Sequence, residues 1–279
     1  MTEISYDPSA FPPFAVTVDI AVFTLIDLPV PVKSGQAPRK ELAAVLIVRG
    51  GDTEAGSYAL PGGFVLADED LSAAAIRELH EEAGLELPVS AIHQFRAYGD
   101  PDRDPRMRVV TIAHTALATI DVALNAGTDA KAVEIVPVRK ILSGEFALAF
   151  DHEQILHDAL AFIRGLIEET SAVFELCPEA FTLTELRHVC EAVWGYKVDR
   201  ATFNKRVITI DGFLEPEDSD SEPLAAEPGR RGRPATKYRR GTADTLHPPL
   251  LRPRERLRET ESLYSSMSLQ WMSKPSRDD

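Results

Sequence analysis

Three glutamates, Glu78, Glu81 and Glu82, stand at i, i+3 and i+4 within YALPGGFVLADEDLSAAAIRELHEEAGL, residues 58–85. From about Asp70 this stretch has a helical pattern, with Leu71, Ala75, Leu79 and Ala83 as an apolar stripe. The three glutamates then share the opposite face. Gly84 follows where a left-handed helix cap belongs, and Pro61-Gly62-Gly63 forms a turn that can expose backbone carbonyls. Three carboxylates so close repel one another unless a hard cation with oxygen ligands neutralises them. Mg²⁺ or Mn²⁺ suits such a set, Mg²⁺ being held by one or two carboxylates together with substrate phosphates. The alternative reading is a solvated acidic helix face.

Gly63, Glu69, Arg77, Glu78, Leu79, Glu81, Glu82, Gly84 and Leu85 are spaced G-x5-E-x7-R-E-L-x-E-E-x-G-L, which resembles the signature of the Nudix hydrolases. The resemblance implies Glu78 and Glu82 as main metal ligands, Glu81 as an additional one and the Gly62 carbonyl as a further donor. Arg77 and Glu69 would tie helix to loop. Such enzymes cleave a nucleoside diphosphate linked to another group. Their general base usually comes from a loop outside the signature, where Asp129 and Glu134 are the candidates; Glu81, Glu82 and Glu134 form the candidate catalytic set. The segment QFRAYGDPDRDPRMRVVT, residues 94–111, resembles the branch of the family that handles ADP-ribose. Arg103, Arg106 and Arg108 could pair with a diphosphate there, or the segment is a polar turn whose Asp and Arg residues pair with each other.

The elements that must position these groups are legible around them. Residues 14–26 (FAVTVDIAVFTLI) form a strand, and residues 42–48 a nearly all-apolar strand buried on both faces. Residues 92–98, 108–117 and 133–138 are further strands. The sum is a mixed sheet with helices packed on it, consistent with the α/β/α sandwich that the resemblance implies. A helix from His152 to Glu169 carries a broad apolar face (Ile155, Leu156, Ala159, Leu160, Ile163, Leu166, Ile167) and closes this domain, residues 1–170. Asp151 and Gln154 are placed for a variant capping box, and His152 and His157, outside the glutamate motif, are taken as structural or surface residues.

A second domain, residues 171–241, opens with the capping box Thr182-Leu183-Thr184-Glu185 ahead of a periodic helix ending at Gly195. Asp199 caps a second helix, with Phe203, Val207 and Ile210 facing inward. Two short helices around a glycine turn fit a helix-turn-helix or a small dimerisation domain. Arg200, Thr202, Asn204, Lys205 and Arg206 are the candidate DNA contacts of the second helix. The stretch GRRGRPATKYRRG, residues 229–241, contains no acid, and its Arg231-Gly232-Arg233-Pro234 resembles an AT-hook minor-groove reader. Read as the wing of a winged helix, it adds Arg230, Arg231, Arg233 and Lys237, with residues 236–238 as the return strand; otherwise it is a solvated basic loop. The acidic span 215–227 must then point away from phosphate or be disordered. The tail, residues 242–279, is expected to be disordered apart from a short helix near residues 254–263.

Composition bounds the classes. The chain has 279 residues, a net charge of −14 and 44% hydrophobic residues, enough for two domains. The charge argues against a uniformly nucleic-acid-coating protein but not against a local basic surface. No run approaches a membrane span and no secretory signal is evident. Cys177 and Cys190 read as small core residues in a reducing cytoplasm. A Nudix domain of the ADP-ribose type followed by a winged helix-turn-helix resembles the Nudix-related transcriptional regulators, bacterial repressors of NAD metabolism genes. That resemblance implies a homodimer on a palindromic operator, with ADP-ribose or a related nucleotide as effector. The competing reading is a Mg²⁺-dependent ADP-ribose pyrophosphatase with an accessory C-terminal domain, because the glutamate signature is intact.

Overall fold

The computed structural model describes residues 13–28, 39–50, 53–120, 130–217 and 235–252. Its organising strand is β1 (Ala15–Asp27), whose run Val18–Phe23 is fully buried. β2 (Lys40–Arg49) pairs antiparallel with the far half of β1 through Phe23 and Ala44. On the other edge of β1, β6 (Val109–Leu117) runs parallel from Ala15 beside Val109 to Phe23 beside Leu117. β3 (Tyr58–Ala59) and β7 (Ala130–Pro137) pair with β2, β4 (Gly62–Phe64) pairs with the near half of β1, and β5 (His93–Tyr98) closes the sheet beside β6. A strand can be apolar throughout only when both faces are covered, and both are. Val18, Ile20, Val22 and Val45 face α1 (Leu71–Ala83), while Ala21, Phe23, Leu46 and Leu117 join the cluster built on α3 (His152–Glu169). Between these, α2 (Val138–Leu142) closes the end of β7.

α1 ends at the Gly84 cap its sequence predicts, and Asp70, where the helical pattern begins, is its N-cap. Asp70 accepts from the Ser72 and Ala73 N–H groups, and Gly84 sits at φ +65°. Its buried stripe is Ala74, Ala75, Leu79 and Ala83, with Leu71 only half-buried. The capping box expected at α3 does not form. Asp151 makes no side-chain cap; its carboxylate instead accepts from Arg103 Nε and Nη2 at 2.9 and 2.7 Å, because a bidentate guanidinium pair outweighs a neutral backbone N–H.

After a 3-10 turn at Ser171–Leu176 come β8 (Phe181–Thr182), α4 (Leu183–Trp194), α5 (Arg200–Thr209), β9 (Leu214–Pro216) and β10 (Lys237–Arg240). The three strands form one small sheet in the order β8-β10-β9, so the two helices carry a strand-bounded wing. Thr182 and Glu185 make the reciprocal capping box, Gly195 lies at φ +81°, and Asp199 caps α5 through the Thr202 N–H. Phe174 packs against Phe181 and Phe213 at centroid distances of 5.4 and 4.7 Å. These rings are continuous with the α3 cluster, so one core joins the two halves.

The tail departs from expectation. Residues up to Arg252 are packed, with Leu246 and Leu250 each 1% exposed. The last carbonyls of a helix need donors from outside it. Here the Leu246 N–H donates to the Glu169 carbonyl at 2.8 Å and the Leu250 N–H to the Glu168 carbonyl at 2.7 Å. Arg252 closes the contact with an ion pair to the Glu168 carboxylate. The short helix expected near residues 254–263 lies outside the described residues.

Candidate functional site

The glutamate helix and the glycine turn meet at a cleft of about 720 Å³. The Gly62 N–H donates to Glu82 Oε2 at 2.8 Å, fastening the turn to α1. A Cβ on Gly63 would stand 2.3 Å from Glu78 Oε1, and one on Gly62 2.3 Å from the Val18 carbonyl oxygen. Both glycines are therefore dictated by close approach. Arg77 staples loop to helix. Its guanidinium donates to Glu69 Oε1 at 2.6 Å and Oε2 at 3.0 Å, to the Phe64 carbonyl at 3.0 Å and to Glu78 Oε1 at 2.8 Å. Glu69 in turn accepts from the Leu66 N–H at 2.8 Å, and Arg77 holds its carboxyl below the usual range.

Glu78 and Glu82 both line the cleft. Burial pushes the Glu82 carboxyl up to about 7, against the pull of the Gly62 N–H. Burial also raises Glu78, although Arg77 opposes it. Two buried carboxylates whose protons are hard to remove are oxygen donors suited to a hard divalent cation. The residues thus fit the metal that the signature implies. Among the described residues no group of three or more His, Cys, Asp or Glu is preassembled. The Gly62 carbonyl belongs to the same turn, and two carboxylates plus a carbonyl would leave positions for water and phosphate. Glu81 is not brought in. It accepts from Arg77 Nη1 at 3.1 Å, is half exposed and does not line the cleft.

The other predicted groups divide. Arg103 and Arg106 line the cleft, but each is paired with an aspartate. Arg103, its side chain 6% exposed, joins Asp151 at 2.7 Å and Asp19 at 3.3 Å. Burial pulls its pKa down, and the two aspartates outweigh that and raise it. Arg106 pairs with Asp104 at 2.7 Å. Arg108 lies outside the cleft and donates to the Gly99 and Asp100 carbonyls at 2.8 and 3.0 Å, holding the turn. Glu134 sits on β7 and accepts from the Tyr58 hydroxyl at 3.2 Å; it does not line the cleft. Asp129 lies outside the described residues.

Sequence reading missed four groups in the cleft wall: Asp19, Arg49, Phe150 and His152. His152 Nδ1 accepts from the Leu60 N–H at 3.0 Å, which assigns the proton to Nε2, 3.4 Å from Asp19 Oδ1. Burial keeps this imidazole neutral. Phe150 occupies φ +54°, a costly conformation for an aromatic residue. Its ring lies under the guanidinium groups of Arg49 and Arg106, at 4.8 and 5.9 Å. One signal was readable, a single acid in the apolar run of β1. The positive φ at Phe150 had none.

The second candidate surface is α5. Arg200, Thr202, Lys205 and Arg206 are exposed on it, together with Ile208, and the helix contains no acid. Arg206 Nη1 donates to the Leu251 carbonyl at 2.6 Å, so the packed tail steadies it. Asn204 is half-buried, with its Oδ1 enclosed and lacking a protein partner. Lys237 is exposed at the start of β10. Behind it Arg239 pairs with Glu179 and Glu217, and Arg240 with Glu175 and Asp244. Arg230, Arg231, Arg233 and most of the acidic span lie outside the described residues.

Known proteins share this arrangement. The NUDIX domain family matches residues 36–159, and the NrtR DNA-binding winged helix domain family matches residues 173–239. A relative from Acinetobacter baylyi, an ADPR responsive transcriptional repressor, is 32% identical over 84% of this chain and 85% of its own length. An ADP-ribose pyrophosphatase from Methanocaldococcus jannaschii is 38% identical over 45% of this chain and 70% of its own. The crystal structure of Shewanella oneidensis NrtR complexed with a 27mer DNA superposes with a TM-score of 0.58 at 28% identity, over 81% of this chain and 93% of that one. The chain belongs to the NrtR family, a Nudix domain joined to a DNA-binding winged helix.

Proposed function

We propose that this protein is a transcriptional repressor that binds operator DNA through its winged helix and responds to ADP-ribose, or a close relative of it, in its Nudix cleft. The observation that carries the reading is α5. It is an acid-free helix offering Arg200, Thr202, Lys205 and Arg206 to solvent in a chain of net charge −14. Recognition helices enter the major groove in this way, while phosphate contacts set register. The Acinetobacter relative's response to ADP-ribose and the DNA held by the Shewanella structure support it. The protein acts as a homodimer, one winged helix per half of a palindrome, on genes of NAD metabolism. ADP-ribose lowers DNA affinity by favouring a different arrangement of the two domains.

Selection of bound genomic fragments at near-physiological salt, followed by fluorescence anisotropy with and without ADP-ribose, tests this. One palindromic sequence that the effector releases is the expected result. Recovery of nothing above background would remove the repressor reading.

The carboxylate pair supports a second activity, hydrolysis of ADP-ribose. A divalent cation bound by Glu78, Glu82 and the Gly62 carbonyl would neutralise diphosphate charge and activate water. Around it, Arg77 holds Glu78 in place, the Gly62 N–H holds Glu82, and the neutral His152 with Asp19 keeps the cleft floor ordered. Turnover of ADP-ribose with Mg²⁺ or Mn²⁺ that disappears in Glu82→Gln is the expected outcome. Wild-type activity no higher than a protein-free blank would exclude it.

A further inference from the structure

A second cleft, of about 650 Å³, opens where the Nudix half meets the winged helix. The start of β2, α2 and α3 form one wall; α4 and the turn after it form the other. Six Arg or Lys side chains line it against two carboxylates, Glu41 and Glu191. Both carboxylates are already engaged. Glu41 pairs with Arg139, and Glu191 pairs with Arg187 while also accepting the Val198 N–H at 2.9 Å. Among the described residues, Arg39 and Lys197 are exposed and have no ion-pair partner. His188 sits between the walls. Its Nε2 lies 3.1 Å from Arg187 Nη2, while His188 Nδ1 and Arg187 Nε are buried without a protein partner. Burial, then Arg187 and more weakly Arg39, pulls the His188 pKa down, so the histidine adds no further positive charge. Lys40 pairs with Asp27 at 2.6 Å and Arg164 Nε donates to the Val193 carbonyl at 2.9 Å, so the two cations Arg39 and Lys197, with the unsatisfied polar atoms beside them, are what call for an anion.

We propose that this interdomain cleft is a binding site for a phosphate-bearing small molecule of mononucleotide size, separate from the carboxylate cleft. Guanidinium groups are the side chains best matched to phosphate oxygens, and the volume lies within the range of small-ligand sites. Tyr196, stacked on Trp194 with ring centroids 6.0 Å apart and planes 11° from parallel, adds a flat wall for a base. The site straddles the fold. Arg39 leads into β2, whereas Arg187 lies within α4 and Lys197 in the turn between α4 and α5. A ligand spanning them would fix the recognition helix relative to the Nudix sheet.

Isothermal titration calorimetry of the full chain with AMP, and separately with inorganic phosphate, tests the site. The probe variant is Arg39→Glu/Lys197→Glu, whose side chains hold no ion pair among the described residues; Arg39→Gln/Lys197→Gln serves if the charge reversal unfolds the chain. The expected result is a saturable AMP site weakened about tenfold or more in the variant, with ADP-ribose affinity unchanged. Tighter binding of AMP than of phosphate would support a base against Tyr196, and equal binding would overturn the mononucleotide assignment. Neither ligand binding at millimolar concentration, the variant binding AMP as the wild type does, or AMP and ADP-ribose weakening in parallel would each overturn the proposal.

Discussion

Replacing Gly63 by alanine separates the metal site from the fold. The new Cβ would meet Glu78 Oε1, Cδ and Oε2 at 2.3, 2.4 and 2.5 Å, where ordinary contact begins at 3.4 Å. The carboxylate must therefore retreat by about 1 Å, a displacement that can cost two orders of magnitude where geometry matters. Glu78 is a side-chain end and can move, and Arg77 keeps its Glu69 partner when it does. Gly63 is not at positive φ, so no backbone strain is added. The expected cost in stability is about 1 kcal/mol, with Mn²⁺ affinity down about 10- to 100-fold. Electron paramagnetic resonance titration of free Mn²⁺, alongside urea unfolding, reads both. Gly62→Ala is the contrast, because its Cβ would strike the Val18 carbonyl oxygen at 2.3 Å, a backbone atom that cannot step aside. That variant loses stability by about 1–3 kcal/mol or more. Metal affinity within about twofold of wild type in Gly63→Ala would refute Glu78 as a ligand.

Arg103→Met strands Asp19 and Asp151 without their shared cation, and urea unfolding should show a loss of about 3–5 kcal/mol; a change under 1 kcal/mol would mean that water replaces the guanidinium without penalty. Leu246→Ala removes a side chain 1% exposed under the end of α3, and thermal or urea unfolding should register about 2–5 kcal/mol. An unchanged midpoint would deny the tail its structural role. Arg200→Ala combined with Lys205→Ala should weaken operator binding and reduce the slope of log affinity against log salt by about 2. An unaltered slope would put α5 off the DNA.

The signature was readable because its constraints are local. The helix start near Asp70, the Ala75-Leu79-Ala83 stripe and the Gly84 stop follow from helix geometry, and Gly62-Gly63 was legible as a turn, although the close approach to Glu78 that dictates glycine at 63 was not. The same holds for Thr182, Glu185, Gly195 and Asp199 around α4 and α5. What escaped is set by distant partners. Asp151 has the spacing of a cap but is claimed by Arg103, 48 residues earlier. His152 enters the cleft only because Leu60, 92 residues earlier, presents an unpaired N–H to it. Residues 242–252 look like a polar tail, yet their leucines and N–H groups fit the open end of a helix that finished at Glu169. Glu81 has the spacing of a third ligand, but on a real helix it turns toward Arg77.

Those long-range ties converge on α3. Its 18 residues span about 27 Å, with Asp151 and His152 at the Nudix cleft and Glu168 and Glu169 under the packed tail beside the winged helix. Ile155, Leu156, Ala159, Leu160, Ile163 and Ile167 are all 0% exposed and belong to the core shared by both halves. Close-packed interiors do not deform continuously, so a shift imposed at Asp151 moves the helix as a body. An effector diphosphate bound in the cleft would meet Arg103 and Arg106 while both are held by aspartates. To gain Arg103 it must loosen the Arg103–Asp151 pair that anchors the start of α3. Tenfold weaker DNA binding requires a difference of only about 1.4 kcal/mol between the two arrangements. That is smaller than the energy at stake in one buried ion pair, so competition for Arg103 is sufficient in magnitude to couple the Nudix cleft to the recognition helix.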